Sequence, residues 1–232
     1  MAASFGVIWS SVGRKILMSL TGLVLFTFVV GHLVGNLQLL TGDPDPFNRY
    51  AHLLVSLGGL LILVELALLG CVLVHVWAAI AIALGKRSAR PNRYAKVRSA
   101  GGASRKTFGA STMIYTGLTI LVFVVLHLVD LKWGPGIEDG YVTRVDGVEM
   151  RDLHRLVVET FQKPVYVVWY VLAMVVLGFH LSHAFWSAFQ SLGFYHDRYT
   201  RLLYGGGRAL AFLIAFGFLV IPVWIYFAGA AQ

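Results

Sequence analysis

The chain has 232 residues, 58% of them apolar and 13% charged, with a mean hydropathy of +0.74 and a net charge of +8. A soluble domain of this length carries about a quarter charged residues, so a cytosolic globular fold, a disordered tail and a collagen-like repeat are all set aside. The composition predicts an all-α membrane protein, and nucleic acid is not the partner that the positive charge implies. The single cysteine, Cys71, excludes an internal disulfide and any Cys-x-x-Cys motif.

Five apolar segments predict five transmembrane helices, at about 16–40, 53–84, 112–131, 165–189 and 209–228, within one domain covering 1–232. Each is long enough to cross a hydrocarbon core of ~30 Å at 1.5 Å per residue. The second and fourth exceed that length, which predicts tilt or extension beyond the bilayer. Arg14 and Lys15 precede the first segment, which is too long for a signal sequence and reads as an uncleaved anchor.

The connections set the expected orientation. Lys86, Arg87, Arg90, Arg93, Lys96, Arg98, Arg105 and Lys106 crowd the second connection, with no acid among them. Arg198, Arg201 and Arg208 add to the same side, as do Arg14 and Lys15. The positive-inside rule then puts the amino terminus in the cytoplasm and the carboxyl terminus outside. In the long third connection, Gly134-Pro135-Gly136 is a breaker, 141–150 is mixed and polar, and 152–161 has the spacing of a short interfacial helix. No internal repeat and no low-complexity segment is apparent.

Five histidines lie inside the apolar segments: His32, His75, His127, His180 and His183. Ionisable groups at membrane depth are costly and face the bundle interior. His32 is 18 residues beyond Arg14, and His127 is 21 beyond Lys106, which puts both ~30 Å along helices that start on the inner side. His75 is 11 residues before Lys86, and His180 is 16 after Pro164, which puts both in the inner half. The predicted pairs are therefore His32 with His127, and His75 with His180 or His183. Two imidazoles facing each other from separate helices are what bis-histidine ligation of haem iron requires. With both axial positions filled, such an iron transfers electrons and does not bind oxygen. Gly31 and Gly35 beside His32, and Gly178 and Ala184 beside His180, would give a flat macrocycle room. Zinc or di-iron chemistry needs carboxylates or thiolates nearby, and Glu65, the one acid deep in a segment, is ten residues from His75.

Several strings resemble the single-chain, five-helix, di-haem cytochrome b anchor of succinate dehydrogenase and fumarate reductase. They are Ser10-Ser11-Val12-Gly13-Arg14-Lys15 followed by Leu20-Thr21-Gly22, and His32-Leu33-Val34-Gly35-Asn36-Leu37. Further along come Phe47-Asn48-Arg49-Tyr50-Ala51-His52, Gly178-Phe179-His180-Leu181 and Ser187-Ala188-Phe189-Gln190-Ser191-Leu192-Gly193. The resemblance implies a membrane anchor of succinate:quinone oxidoreductase in a bacterial cytoplasmic membrane, holding two non-covalent haem b groups. It implies His32 and His127 as axial ligands of an outer haem, and His75 and His180 as those of an inner one. The position of Ala184, four residues after His180, favours His180 over His183. Flavoprotein and iron–sulfur subunits would dock on the cytoplasmic face, and heterotrimers of this kind can associate further. Quinone, with menaquinone expected, would accept or donate electrons beside membrane lipid.

Ser10, Ser11, Arg14 and Lys15 are the candidate quinone residues, where hydroxyl and cationic donors meet an apolar wall. Trp9, Tyr195, His196 and Asp197 stand near the same level. Glu65 reads either as a proton-relay carboxylate or as a neutral, hydrogen-bonded buried acid. The competing functions are a di-haem cytochrome b of another enzyme, such as a hydrogenase, and a non-haem proton-coupled transporter with a histidine relay.

Overall fold

A computed structural model describes residues 10–88 and 108–229. Seven helices account for most of them: α1 (Ser11–Asn36), α2 (Pro44–Ser56), α3 (Gly59–Ser88), α4 (Phe108–His127), α5 (Leu153–Phe161), α6 (Pro164–Ser191) and α7 (Asp197–Gly229). A hairpin of β1 (Val142–Val145) and β2 (Val148–Arg151) lies between α4 and α5. Five stretches are helical, long and apolar enough to cross a membrane: Ser11–Thr41, Gly59–Gly85, Gly109–Lys132, Pro164–Ser191 and Arg198–Ala228. Large apolar side chains such as Leu66, Leu73 and Phe216 stay exposed on them. Helices satisfy their own backbone groups and so tolerate an apolar surround, which makes lipid the solvent these faces suit. Most of the basic second connection, and Trp9, lie outside the described residues.

Two expected boundaries change. The segment 53–84 is not one helix. Gly58 adopts φ +53°, a left-handed conformation that glycine takes without a Cβ penalty, and it separates α2 from α3. α2 is a distinct amphipathic helix, capped by Asp43, whose carboxylate accepts from Asp45 N at 3.0 Å, with Pro44 at its first turn. The last helix begins at Asp197 rather than 209, running straight through Gly205-Gly206-Gly207. A Cβ on Gly207 would lie 2.4 Å from the Phe185 ring, so glycine is what lets α7 approach α6 here.

The chain divides into two compact units, and each long helix contributes a segment to both. The first unit comprises 1–27, 67–117 and 179–212, and the second 28–66, 118–178 and 213–232. In the first, Phe185 packs with tilted rings at 5.0 Å from both Phe26 and Phe189, and Ala78 and Ala211 are fully buried. In the second, Leu39, Phe47, Val157, Phe161, Tyr170, Ile221 and Ile225 form one apolar core.

The connections of the second unit are tied down by polar groups. Asn48 on α2 is fully buried; its Nδ2 donates to Asp152 Oδ1 at 2.9 Å, and its Oδ1 accepts from His154 N at 2.8 Å. Asp152 also caps α5, accepting from Arg155 N. Arg151 spreads its guanidinium over the carbonyls of Leu131, Lys132, Gly134 and Pro135, satisfying the end of the π-type turn Leu128–Lys132 that extends α4. The predicted short helix at 152–161 is present as α5.

Candidate functional site

The first histidine pair lies in the second unit. His32 on α1 and His127 at the end of α4 face each other with ring centroids 5.8 Å apart and planes at 89°. Phe28, one turn before His32, stacks on it at 5.4 Å, and Phe123, one turn before His127, stacks on it at 5.6 Å. Phe218 on α7 stands 5.8 Å from His32. These rings pack against both imidazoles and restrict their orientations. Two imidazoles binding one metal from opposite sides at ~2 Å each would have centroids ~6 Å apart. The spacing fits two imidazoles that share one metal.

The second pair lies in the first unit. His75 on α3 places Nδ1 3.1 Å from Met18 O and 3.3 Å from Thr21 Oγ1. His180 on α6 places Nδ1 3.1 Å from Thr116 Oγ1. Both threonine hydroxyls already donate to a carbonyl one turn back, Thr21 to Leu17 O at 2.7 Å and Thr116 to Thr112 O at 3.2 Å. The Met18 carbonyl can only accept, so His75 carries its proton on Nδ1 and leaves its Nε2 lone pair free for a metal; His180 does the same when Thr116 donates to its own helix. His183 lies one turn beyond His180 on α6. It lines a small cleft with Ser182, Tyr204 and Arg208. Among the described residues no group of three or more His, Cys, Asp or Glu side chains gathers.

The glycines divide differently from expectation. Gly35 does not open space beside His32: a Cβ there would lie 2.5 Å from the Tyr50 ring, so it seats α2 against α1. Gly22 and Gly117 are the glycines at histidines, 3.2 Å from His75 Cε1 and 3.6 Å from His180 Cε1 by their would-be Cβ atoms.

These contacts expose a repeat that the sequence reading missed. Residues 21–34 read TGLVLFTFVVGHLV and residues 116–129 read TGLTILVFVVLHLV. In both copies a Thr-Gly at one end receives the histidine of another helix. Eleven residues on, a histidine stacked on the phenylalanine before it faces the other copy. The signal was in plain view as a shared Thr-Gly-Leu and Phe-Val-Val-x-His-Leu-Val.

No family model, curated protein or solved structure matches this chain.

The quinone candidates all fall in the first unit, with unequal roles. Ser10 accepts from Gly13 N at 3.0 Å and so caps α1. Arg14 donates from a terminal nitrogen to Ala81 O on α3 at 3.4 Å. Ser11 and Lys15 are exposed. His196 also serves a helix end, accepting from Arg198 N at 3.1 Å. Glu65 is not buried: its carboxylate pairs with Lys132, and both side chains are 39% exposed. Two residues of the second unit were not anticipated. Tyr170 places its hydroxyl 3.1 Å from His127 Nδ1. Trp169, packed 6.3 Å from Phe123, has a buried Nε1 with no partner among the described residues. A buried unpaired donor is the kind of group that an oxygen of a bound molecule satisfies.

Proposed function

We propose that this chain is the di-haem cytochrome b anchor of a membrane succinate:quinone oxidoreductase, carrying electrons between an iron–sulfur subunit and quinone, with menaquinone expected. The observation that carries the proposal is the His32–His127 pair, two imidazoles 5.8 Å apart on separate apolar helices. The Nδ1-anchored His75 and His180 support a second centre of the same kind. Bound between such pairs, haem supplies one-electron transfer with no open iron position.

The chain's own residues do the rest. Met18 O, Thr21 and Thr116 hold two imidazoles in the tautomer that ligates. Phe28, Phe123 and Phe218 pack against the other pair. His180 is assigned over His183 because its Nδ1 is anchored beside Gly117. Ser11, Arg14 and Lys15 provide a hydroxyl and two cations near one end of α1, suited to a quinone carbonyl that gains negative charge on reduction. Flavoprotein and iron–sulfur subunits dock on the basic, cytoplasmic side of a bacterial inner membrane.

The test is a reduced-minus-oxidised spectrum with haem extraction on the purified complex. Two non-covalent b-type haems per chain are expected, and a colourless protein would end the proposal in favour of a proton-coupled transporter. His32→Ala and His127→Ala should each remove one and the same haem, while His75→Ala and His180→Ala remove the other. His183→Ala should retain both.

A further inference from the structure

Tyr170 lies on α6 in the second unit, 6% exposed. Its ring sits between Phe123 at 4.9 Å and Phe161 at 4.8 Å, both edge to face. Phe123 in turn stacks on His127. The tyrosine hydroxyl lies 3.1 Å from His127 Nδ1, across 43 residues of sequence. An imidazole that offers Nε2 to a metal keeps its proton on Nδ1, and a buried N–H without an acceptor is costly. Tyr170 Oη is placed to accept that proton.

The facing histidine is treated differently. Near His32 stands the amide nitrogen of Asn36, 3.4 Å from Nδ1, and this nitrogen donates to the His32 carbonyl at 2.7 Å. That nitrogen is nearly as close to Nε2, at 3.5 Å, and so singles out neither ring nitrogen of His32, whereas the Tyr170 hydroxyl stands at Nδ1 of His127. We infer that Tyr170 is a positioning residue for His127: its oxygen takes the Nδ1 proton, fixes the tautomer that frees Nε2, and makes the imidazole a stronger electron donor. The inference rests on the proposed di-haem function and assigns a tuning residue to one of its two centres. A stronger donor favours the more positive, oxidised iron, so deleting the oxygen raises the reduction potential of that centre alone.

Tyr170→Phe keeps the ring and removes the one atom in question. Redox titration and low-spin EPR of the purified complex read the result. Both haems should be present, with one midpoint raised and its EPR signal displaced, and the other unchanged. His127→Ala identifies which haem has moved. Phe161→Leu loosens the tyrosine's packing without touching a polar atom, and should leave both midpoints in place. Loss of the haem in Tyr170→Phe alone, with Phe161→Leu retaining it, assigns the same role to the hydroxyl. Unchanged midpoints in Tyr170→Phe would overturn the inference, as would the same shift or loss in Phe161→Leu. A native complex without haem would instead defeat the proposed function itself.

Discussion

At the scale of single residues, the two copies of the Thr-Gly motif make a controlled comparison. A methyl on Gly22 would stand 3.2 Å from His75 Cε1, close enough that the imidazole must give way by a few tenths of an ångström. A methyl on Gly117 would stand 3.6 Å from His180 Cε1, an ordinary contact. On the proposed di-haem function, Gly22→Ala should therefore weaken one haem, lowering its occupancy or displacing its low-spin EPR signal, whereas Gly117→Ala should leave both spectra near native. Equal effects from the two variants would mean that the rings are not seated as described. The histidines themselves were legible from sequence, because a titratable group inside an apolar segment is costly and stands out. Their partners were not. Thr21, Thr116 and Tyr170 are ordinary in composition, and only the helix that comes to lie opposite each one makes its oxygen matter.

At the scale of elements, length and apolarity made the five long helices legible, and the periodicity of 152–161 made α5 so. The hairpin was missed although Val145-Asp146-Gly147-Val148 carries its signal. Asp146 and Gly147 take φ +52° and +79°, the turn that Asp-Gly favours between two strands. The break at Gly58 was missed because α2 continues the apolar run of α3 without an interruption in hydropathy. What holds α2 to α5 is Asn48, and Asn48→Ala would leave Asp152 and His154 N with an unmet partner each. A loss of about 1–3 kcal/mol per unsatisfied group is expected, read as a lower Tm in detergent.

The same corner of the second unit responds to acid. Burial holds His154 below its ordinary range, with Asp152 and Asp43 partly opposing that effect, and Phe47 packs on its ring. A histidine lowered on folding supports the fold fully above its unfolded value of 6.5 and loses that support as pH falls below it. Glu159 is held below its ordinary range by Tyr141 and Arg155, which adds a second loss in the same direction below 4.5. Hydrogen exchange across 141–162 should therefore quicken between about pH 7.5 and 5.5, beyond the intrinsic rate change. His154→Gln should remove most of that difference, and an unchanged profile would discard the account.

For the whole molecule, charge and crossing number govern assembly. The second connection is basic without an acid, so it should attract an acidic surface and hold it less firmly in salt. If the proposed subunits dock there, replacing Arg93, Lys96 and Arg98 with Gln should release them at lower ionic strength while the chain still inserts. Unchanged release would reduce these charges to topology alone. The turn at Gly58 bears on crossing number as well. α2, with 13 residues, is only ~20 Å long and falls short of a hydrocarbon core of ~30 Å. If each long helix crosses once, α3 alone separates the two copies of the repeat, so α1 and α4 run in parallel and their histidines reach the same membrane face. The pairing thus depends on parity. One crossing more or fewer between the copies would invert α4 and leave His127 opposite Thr21 instead of His32. On that single-crossing reading, the left-handed Gly58 that keeps α2 from joining α3 as a longer rod holds the number of passes between the two copies at one.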